Sequence, residues 1–269
     1  MQVINNFIKI KKSTIKIRTL LPDKLIKNDI TLLILHEGLG SIGQWKQFPE
    51  NLAIVLGLKT LLYDRFGHGE SARFIEKRGK NYLEKEAFEI LPEVLKKTGT
   101  GRVFIVGHSD GATIALLYAS RFGDNTAGVV SEAAHVLVEP VTLQGLIKAR
   151  EAYENNPKFR ERLFRYHGDK TDELFYGWNN IWRDENFADW NVENYLKNIR
   201  CPVLVIQGEQ DEYGSKKQVE AIINGVSGEK EQYMIPDCKH IPHLEKEKEV
   251  IECINNFFQT MLKNRYGSP

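Results

Sequence analysis

The first twenty residues alternate apolar and polar side chains with a period of two, over residues 3–10 and again over 14–20, with Lys11, Lys12 and Ser13 between them. That period puts one face of an extended chain on a core and predicts an antiparallel hairpin. The pattern then changes to short continuous apolar runs bounded by turn residues: 31–35, 59–63, 102–106, 128–130, 202–206 and 232–235. Such runs suit strands buried on both faces. Helical spacing fills most of the gaps, notably 82–97, 113–121, 216–224 and 247–263. Strands alternating with helices predict an α/β fold, a mostly parallel sheet with helices on both faces.

Residues 135–198 break the rhythm. They carry no buried-strand pattern but many aromatics, among them Phe159, Phe175, Trp178, Trp182 and Trp190. The stretch reads as a helical insertion in which most rings pack a small core and a few line a pocket. At 269 residues the chain suits one large domain, with residues 1–134 and 199–269 as the core and 135–198 inserted. With 37 Lys and Arg against 36 Asp and Glu, the net charge of +1 argues against a nucleic-acid partner. No apolar run approaches the roughly 18 residues of a membrane span, and no apolar signal-peptide core is visible at the N-terminus, so a cytoplasmic protein is expected. Cys201, Cys238 and Cys253 form no CxxC pair, which predicts reduced thiols and no structural zinc.

The sharpest chemical signal is Gly107-His108-Ser109-Asp110-Gly111, set between the run 102–106 and the helical stretch that begins at Ala112. A G-x-S-x-G turn between strand and helix exposes a serine at a sharp bend, next to N–H groups at the helix start that can hold developing negative charge. A serine needs a base, and the base needs an orienting group. Asp211 follows the apolar run 202–206, and His240 follows the run 232–235, so both emerge at the strand ends where such folds gather their chemistry. The chain order is Ser109, Asp211, His240.

Together with the motifs that follow, these residues make the chain resemble the α/β-hydrolase superfamily over essentially its whole length. Leu35-His36-Glu37-Gly38-Leu39-Gly40-Ser41 is similar to that family's His-Gly-x-x-Gly loop, and Asp64-Arg65-Phe66-Gly67-His68-Gly69-Glu70-Ser71 to its D-x-x-G-x-G-x-S segment, a structural signature. The resemblance implies an eight-stranded sheet with a helical cap, catalytic Ser109, Asp211 and His240, and an oxyanion hole built by the backbone N–H groups of Gly38 and Asp110. It gives His36, His108 and His243 supporting hydrogen-bond roles. Two residues depart from it. Glu37 stands where glycine is usual; it either supports the oxyanion loop as a nearby carboxylate or, the expected use, turns outward and holds its loop, and Lys239 stands where glycine usually precedes the histidine and is expected to be solvated. For Asp110 a turn or cap role is expected of the side chain.

The implied activity is serine-dependent hydrolysis of a small or medium carboxylic ester or thioester, with a small-molecule acyl substrate and no metal or organic cofactor. The same triad also serves carbon–carbon bond hydrolases and cofactor-free lyases such as menaquinone-pathway synthases. Some members of the fold are non-catalytic ligand receptors. Serine at the elbow argues against dehalogenation, which needs aspartate there. Oligomeric state is left open.

Overall fold

The computed structural model describes residues 1–266, so the last three residues of the expected core lie outside the described residues. Its sheet has eight strands: β1 (Gln2–Ile10), β2 (Ser13–Leu21), β3 (Lys27–Leu35), β4 (Leu58–Tyr63), β5 (Arg102–His108), β6 (Thr126–Glu132), β7 (Val203–Gly208) and β8 (Lys230–Ile235). Their spatial order is β1-β2-β4-β3-β5-β6-β7-β8. The hairpin β1–β2 is antiparallel, with Ile8 opposite Ile15, and joins β4 antiparallel; the other pairings are parallel. β6 runs longer than the apolar stretch 128–130 because Thr126, Ser131 and Glu132 are buried although polar.

The helices are α1 (Phe48–Leu56), α2 (Tyr82–Lys85), α3 (Leu91–Lys97), α4 (Asp110–Arg121), α5 (Pro140–Asn155), α6 (Pro157–His167), α7 (Thr171–Trp182), α8 (Glu193–Leu196), α9 (Lys216–Gly225), α10 (Pro242–Glu245) and α11 (Glu247–Tyr266). Between α2 and α3 the expected helix widens into a π-helical turn, Glu86–Ile90, just ahead of Pro92, which has no N–H to continue the ladder. α1 is not legible in the periodicity, since exposed Ile54 and Val55 blur its stripe. Phe48, Leu52 and Leu56 nonetheless face the core at i, i+4 spacing, and Gly57, at φ 58°, ends the helix in the left-handed region.

Two apolar layers enclose the sheet. One holds Leu33, Ile105, Val129 and Val205 against α4 and α9, and the other holds Leu32, Phe104, Val130 and Ile206 against α1 and α11. Alternate residues of one strand therefore serve opposite layers, and each fully buried side chain of this size contributes about 1.5–3 kcal/mol. The stretch from β6 to β7 contains helices α5 to α8, tied near its ends by a bridge between Leu137 and Asn191. Tyr153, Leu163 and Phe175 make a small core of its own. Among the described residues, no helix is long and apolar enough to cross a membrane.

Candidate active site

Ser109 sits between β5 and α4 with φ 52° and ψ −118°, a backbone that side chains rarely adopt. The turn is crowded on both sides. A Cβ at Gly107 would lie 2.3 Å from the Gly111 carbonyl oxygen, and one at Gly111 would lie 2.0 Å from the Leu35 carbonyl oxygen. Those distances are why glycine flanks the serine. The Ser109 N–H donates to the Glu132 carbonyl at 2.9 Å, which pins the bend to β6.

The loops after β7 and β8 carry the expected partners to this point. His240 Nε2 lies 3.1 Å from Ser109 Oγ, and His240 Nδ1 lies 2.9 Å from each carboxylate oxygen of Asp211. Asp211 Oδ1 also accepts from the Tyr213 and Gly214 N–H groups at 2.8 and 3.2 Å. Burial pushes the Asp211 carboxyl up, but the His240 charge, its hydrogen bond and the Tyr213 N–H outweigh this and hold it below the ordinary range. From behind, His108 Nε2 donates to the His240 carbonyl at 2.7 Å.

The loop after β3 lies alongside. Arg65 donates its backbone N–H to His36 Nε2 at 3.1 Å, so the ring proton is on Nδ1, which donates to the Glu37 carbonyl at 2.8 Å. Burial first, then the Arg65 charge, keeps the His36 imidazole neutral, with its pKa well below the usual value. Arg65 Nη2 donates to the same Glu37 carbonyl at 2.6 Å, and Arg65 Nη1 lies 3.6 Å from Asp110 Oδ2. Asp110 Oδ2 also accepts from the Tyr82 hydroxyl at 2.9 Å. The Asp110 side chain thus serves no turn or cap, contrary to expectation: it is buried in an ion pair with Arg65.

Of the two uses open to Glu37, the outward one is not the one adopted. Its carboxylate turns inward beneath Gly40 and lies 3.7 Å from His108 Nδ1. An inward carboxylate is tolerable only beside a cation, and His108 supplies it. Burial opposes ionisation of Glu37, yet His108 and then His36 bring its pKa to about 2. Burial likewise opposes protonation of His108, but Glu37 and Glu132 raise it to about 9. His243 donates its N–H and Nδ1–H to Glu132 Oε1 at 2.8 and 2.9 Å, which pins α10 to the end of β6. Lys239 is exposed as expected. Asp64 accepts the N–H groups of Ile42 and Glu70, a structural task.

Among the described residues, His108, Glu132 and His243 form the grouping with metal-ligand chemistry, their ligand atoms lying within 4.8 Å of one another. Glu132 Oε1 already accepts from the His243 N–H and Nδ1–H, and Glu37 and Glu132 push the His108 imidazole above its usual pKa, so the three read as a hydrogen-bond and charge network. Above Ser109 is a cavity of about 350 Å³ lined by Gly38, His240, Leu146, Trp178, Trp182 and Tyr213, with other residues of the same loops and helices. Trp178 and Trp182 face it, while Trp190 stacks on Phe187 outside its lining. Sequence reasoning missed Arg65 and Glu132. The signal for Glu132 was a carboxylate closing a buried strand; Arg65 was hidden inside a segment read as structural.

A sheet of this order, with a strained serine turn after β5, is the framework on which α/β-type hydrolases work. The chain belongs to the alpha/beta hydrolase family, whose model matches residues 32–252, and it is an enzyme of that class. A proline iminopeptidase of Saccharolobus solfataricus is 24% identical over 239 residues, covering 75% of this chain and 76% of that protein. The serine hydrolase BPHL of Homo sapiens is also 24% identical over 239 residues, covering 87% and 80%. The solved enol-lactonase of Burkholderia xenovorans shares the fold with a TM-score of 0.72 at 16% identity, over 94% of this chain and 100% of that one.

Proposed function

We propose that this enzyme is a serine hydrolase that cleaves a small or medium carboxylic ester or thioester through an acyl-enzyme on Ser109. The observation that carries the reading is the line of contacts from Ser109 Oγ through the His240 ring to Asp211. In it His240 takes the proton of Ser109 as Oγ attacks the carbonyl carbon, and Asp211 fixes the ring and stabilises its cation. The oxyanion lies against the N–H groups of Gly38 and Asp110. His240 returns its proton to the leaving alcohol or thiol, then activates the water that releases the acid.

Arg65 acts on that hole from behind. The peptide between Glu37 and Gly38 is planar and trans, so a carbonyl held by Arg65 and His36 aims the Gly38 N–H the opposite way. The relative named proline iminopeptidase favours a second reading, cleavage after an N-terminal proline. Three carboxylates near Ser109 are each already paired: Glu37 with His108, Asp110 with Arg65 and Asp211 with His240. That leaves none of them for a substrate ammonium and supports the ester. The test is turnover of p-nitrophenyl esters of graded chain length, with proline p-nitroanilide beside them. Wild type is expected to hydrolyse the esters and Ser109→Ala not; wild-type turnover by Ser109→Ala removes the nucleophile assignment.

A further inference from the structure

The cavity above Ser109 has an apolar floor and a charged mouth. Leu146, Leu163 and Trp182 are buried lining residues, whereas Lys46 and Arg162 also line it but are exposed, and so mark its opening. The two cations come from separate parts of the chain. Lys46 follows the short helical turn Ile42–Trp45, and Arg162 lies on α6. The lining carboxylates Glu37 and Asp110 are both paired inward, with His108 and Arg65. Among the described residues, neither Lys46 nor Arg162 makes an ion pair, so the mouth carries uncompensated positive charge.

Arg162 is restrained, and Lys46 stands on a strained backbone. Lys46 has φ 54° and ψ −121°, nearly the strained backbone of Ser109 itself. Glycine occupies that region without penalty and lysine does not, so the lysine side chain stands there against a backbone cost. The Arg162 guanidinium lies 5.3 Å from the centre of the Phe159 ring, another lining residue, and this cation–π contact restrains it beside the cavity.

We propose that Lys46 and Arg162 form an anion subsite at the mouth, which binds a carboxylate or phosphate that the ester or thioester carries away from its scissile carbonyl. A planar guanidinium and an ammonium lining one cavity suit either group. The inference rests on the serine-hydrolase reading and names its substrate class.

Two matched pairs test it and separate the source of the charge. Monoethyl adipate against ethyl hexanoate places the anion on the acyl side, and butanoyl-coenzyme A against butanoyl-N-acetylcysteamine places it on the leaving thiol. In wild type, kcat/KM is expected to favour the anionic member of one pair by about five- to tenfold, the combined effect of two exposed charge contacts. K46Q/R162Q is expected to erase most of that ratio, and salt at about 0.5 M to weaken it in wild type by screening. A wild-type ratio at or below one in both pairs overturns the subsite, as does a ratio unchanged in K46Q/R162Q. If wild type cleaves none of the four compounds, the acyl-enzyme reading fails separately. Calorimetric binding of the same pairs to Ser109→Ala then decides: tighter binding of an anionic member that K46Q/R162Q abolishes supports the subsite, and equal or undetectable binding overturns it.

Discussion

Replacing Arg65 by lysine isolates the geometry of the proposed oxyanion hole from its charge. Arg65 Nη2 reaches the Glu37 and His36 carbonyls at 2.6 and 3.2 Å while Nη1 faces Asp110 at 3.6 Å, an arrangement that needs a rigid fork. Lysine keeps the positive charge beside Asp110, so the penalty of a buried unpaired carboxylate, about 3–5 kcal/mol, is largely avoided. A single ammonium cannot hold both sides of the loop in one plane. A charge-assisted hydrogen bond to a carbonyl is worth about 1.5–3 kcal/mol, and complete loss of an oxyanion donor costs about 2.7–4 kcal/mol. A loosened Gly38 N–H belongs toward the lower end, which at about 1.4 kcal/mol per decade predicts a 10- to 100-fold fall in kcat. KM should move by less than about threefold, because the N–H is needed most where charge develops. The assay is steady-state hydrolysis of p-nitrophenyl butyrate, with thermal melting alongside. A kcat within twofold of wild type in a folded protein would refute the reasoning, and a rise in KM alone would place Arg65 in substrate binding.

The remaining predictions concern the same loops. The Glu37 contribution to stability, from a pKa of about 2 against 4.5, is complete above pH 4.5 and lost as pH falls toward 2; that of His108, from about 9 against 6.5, is complete below pH 6.5 and lost as pH rises toward 9. Buried histidines held neutral, among them His36, His135 and His167, lose stability as pH falls below 6.5, so the pair is read as a difference: the drop in melting temperature on Glu37→Gln should be largest between pH 4.5 and 6.5 and shrink as pH falls toward 2 or rises toward 9, and a drop that grows above pH 8 contradicts the ion pair. Gly111→Ala drives a methyl to 2.0 Å from the Leu35 carbonyl oxygen and should cost about 1–3 kcal/mol or more, read as a lower urea midpoint. Trp178→Ala removes an indole that lines the cavity against Gly38, so the preferred p-nitrophenyl ester should lengthen; an unchanged optimum would put the acyl group elsewhere.

The sheet was legible because its strands are apolar on both faces, and the residues flanking Ser109 because no side chain fits at Gly107 or Gly111. The meeting of Ser109 with Asp211 and His240 was legible for a topological reason: β5, β7 and β8 are parallel neighbours or near neighbours, so their following loops share one edge. Glu37 and Asp110 were not legible. A carboxylate in a loop or at a helix start has common local uses, and only the folded chain brings Arg65 and His108 close enough to draw these two inward. Trp178 and Trp182 likewise could not be told from Trp190, because which ring faces a cavity depends on how α7 lies over the sheet.

The departures at Glu37 and Asp110 follow one physical logic. Each carboxylate sits in a segment proposed to build the oxyanion hole, where an unpaired negative charge would oppose the charge that develops in the reaction. Each is neutralised by a cation whose other contacts fasten a neighbouring segment: Arg65 holds the Glu37 carbonyl, and His108 holds the carbonyl of His240. His108 is in turn drawn toward Glu132, which anchors His243 and α10. The loops after β3, β4, β5 and β8 are thereby coupled through charge, and removing one member leaves its partner to bear the cost of burial unpaired or to shift its pKa and neutralise. Glycine at position 37 would need no such partner, whereas glutamate there is matched by an imidazole at 108 that its charge favours in the protonated form.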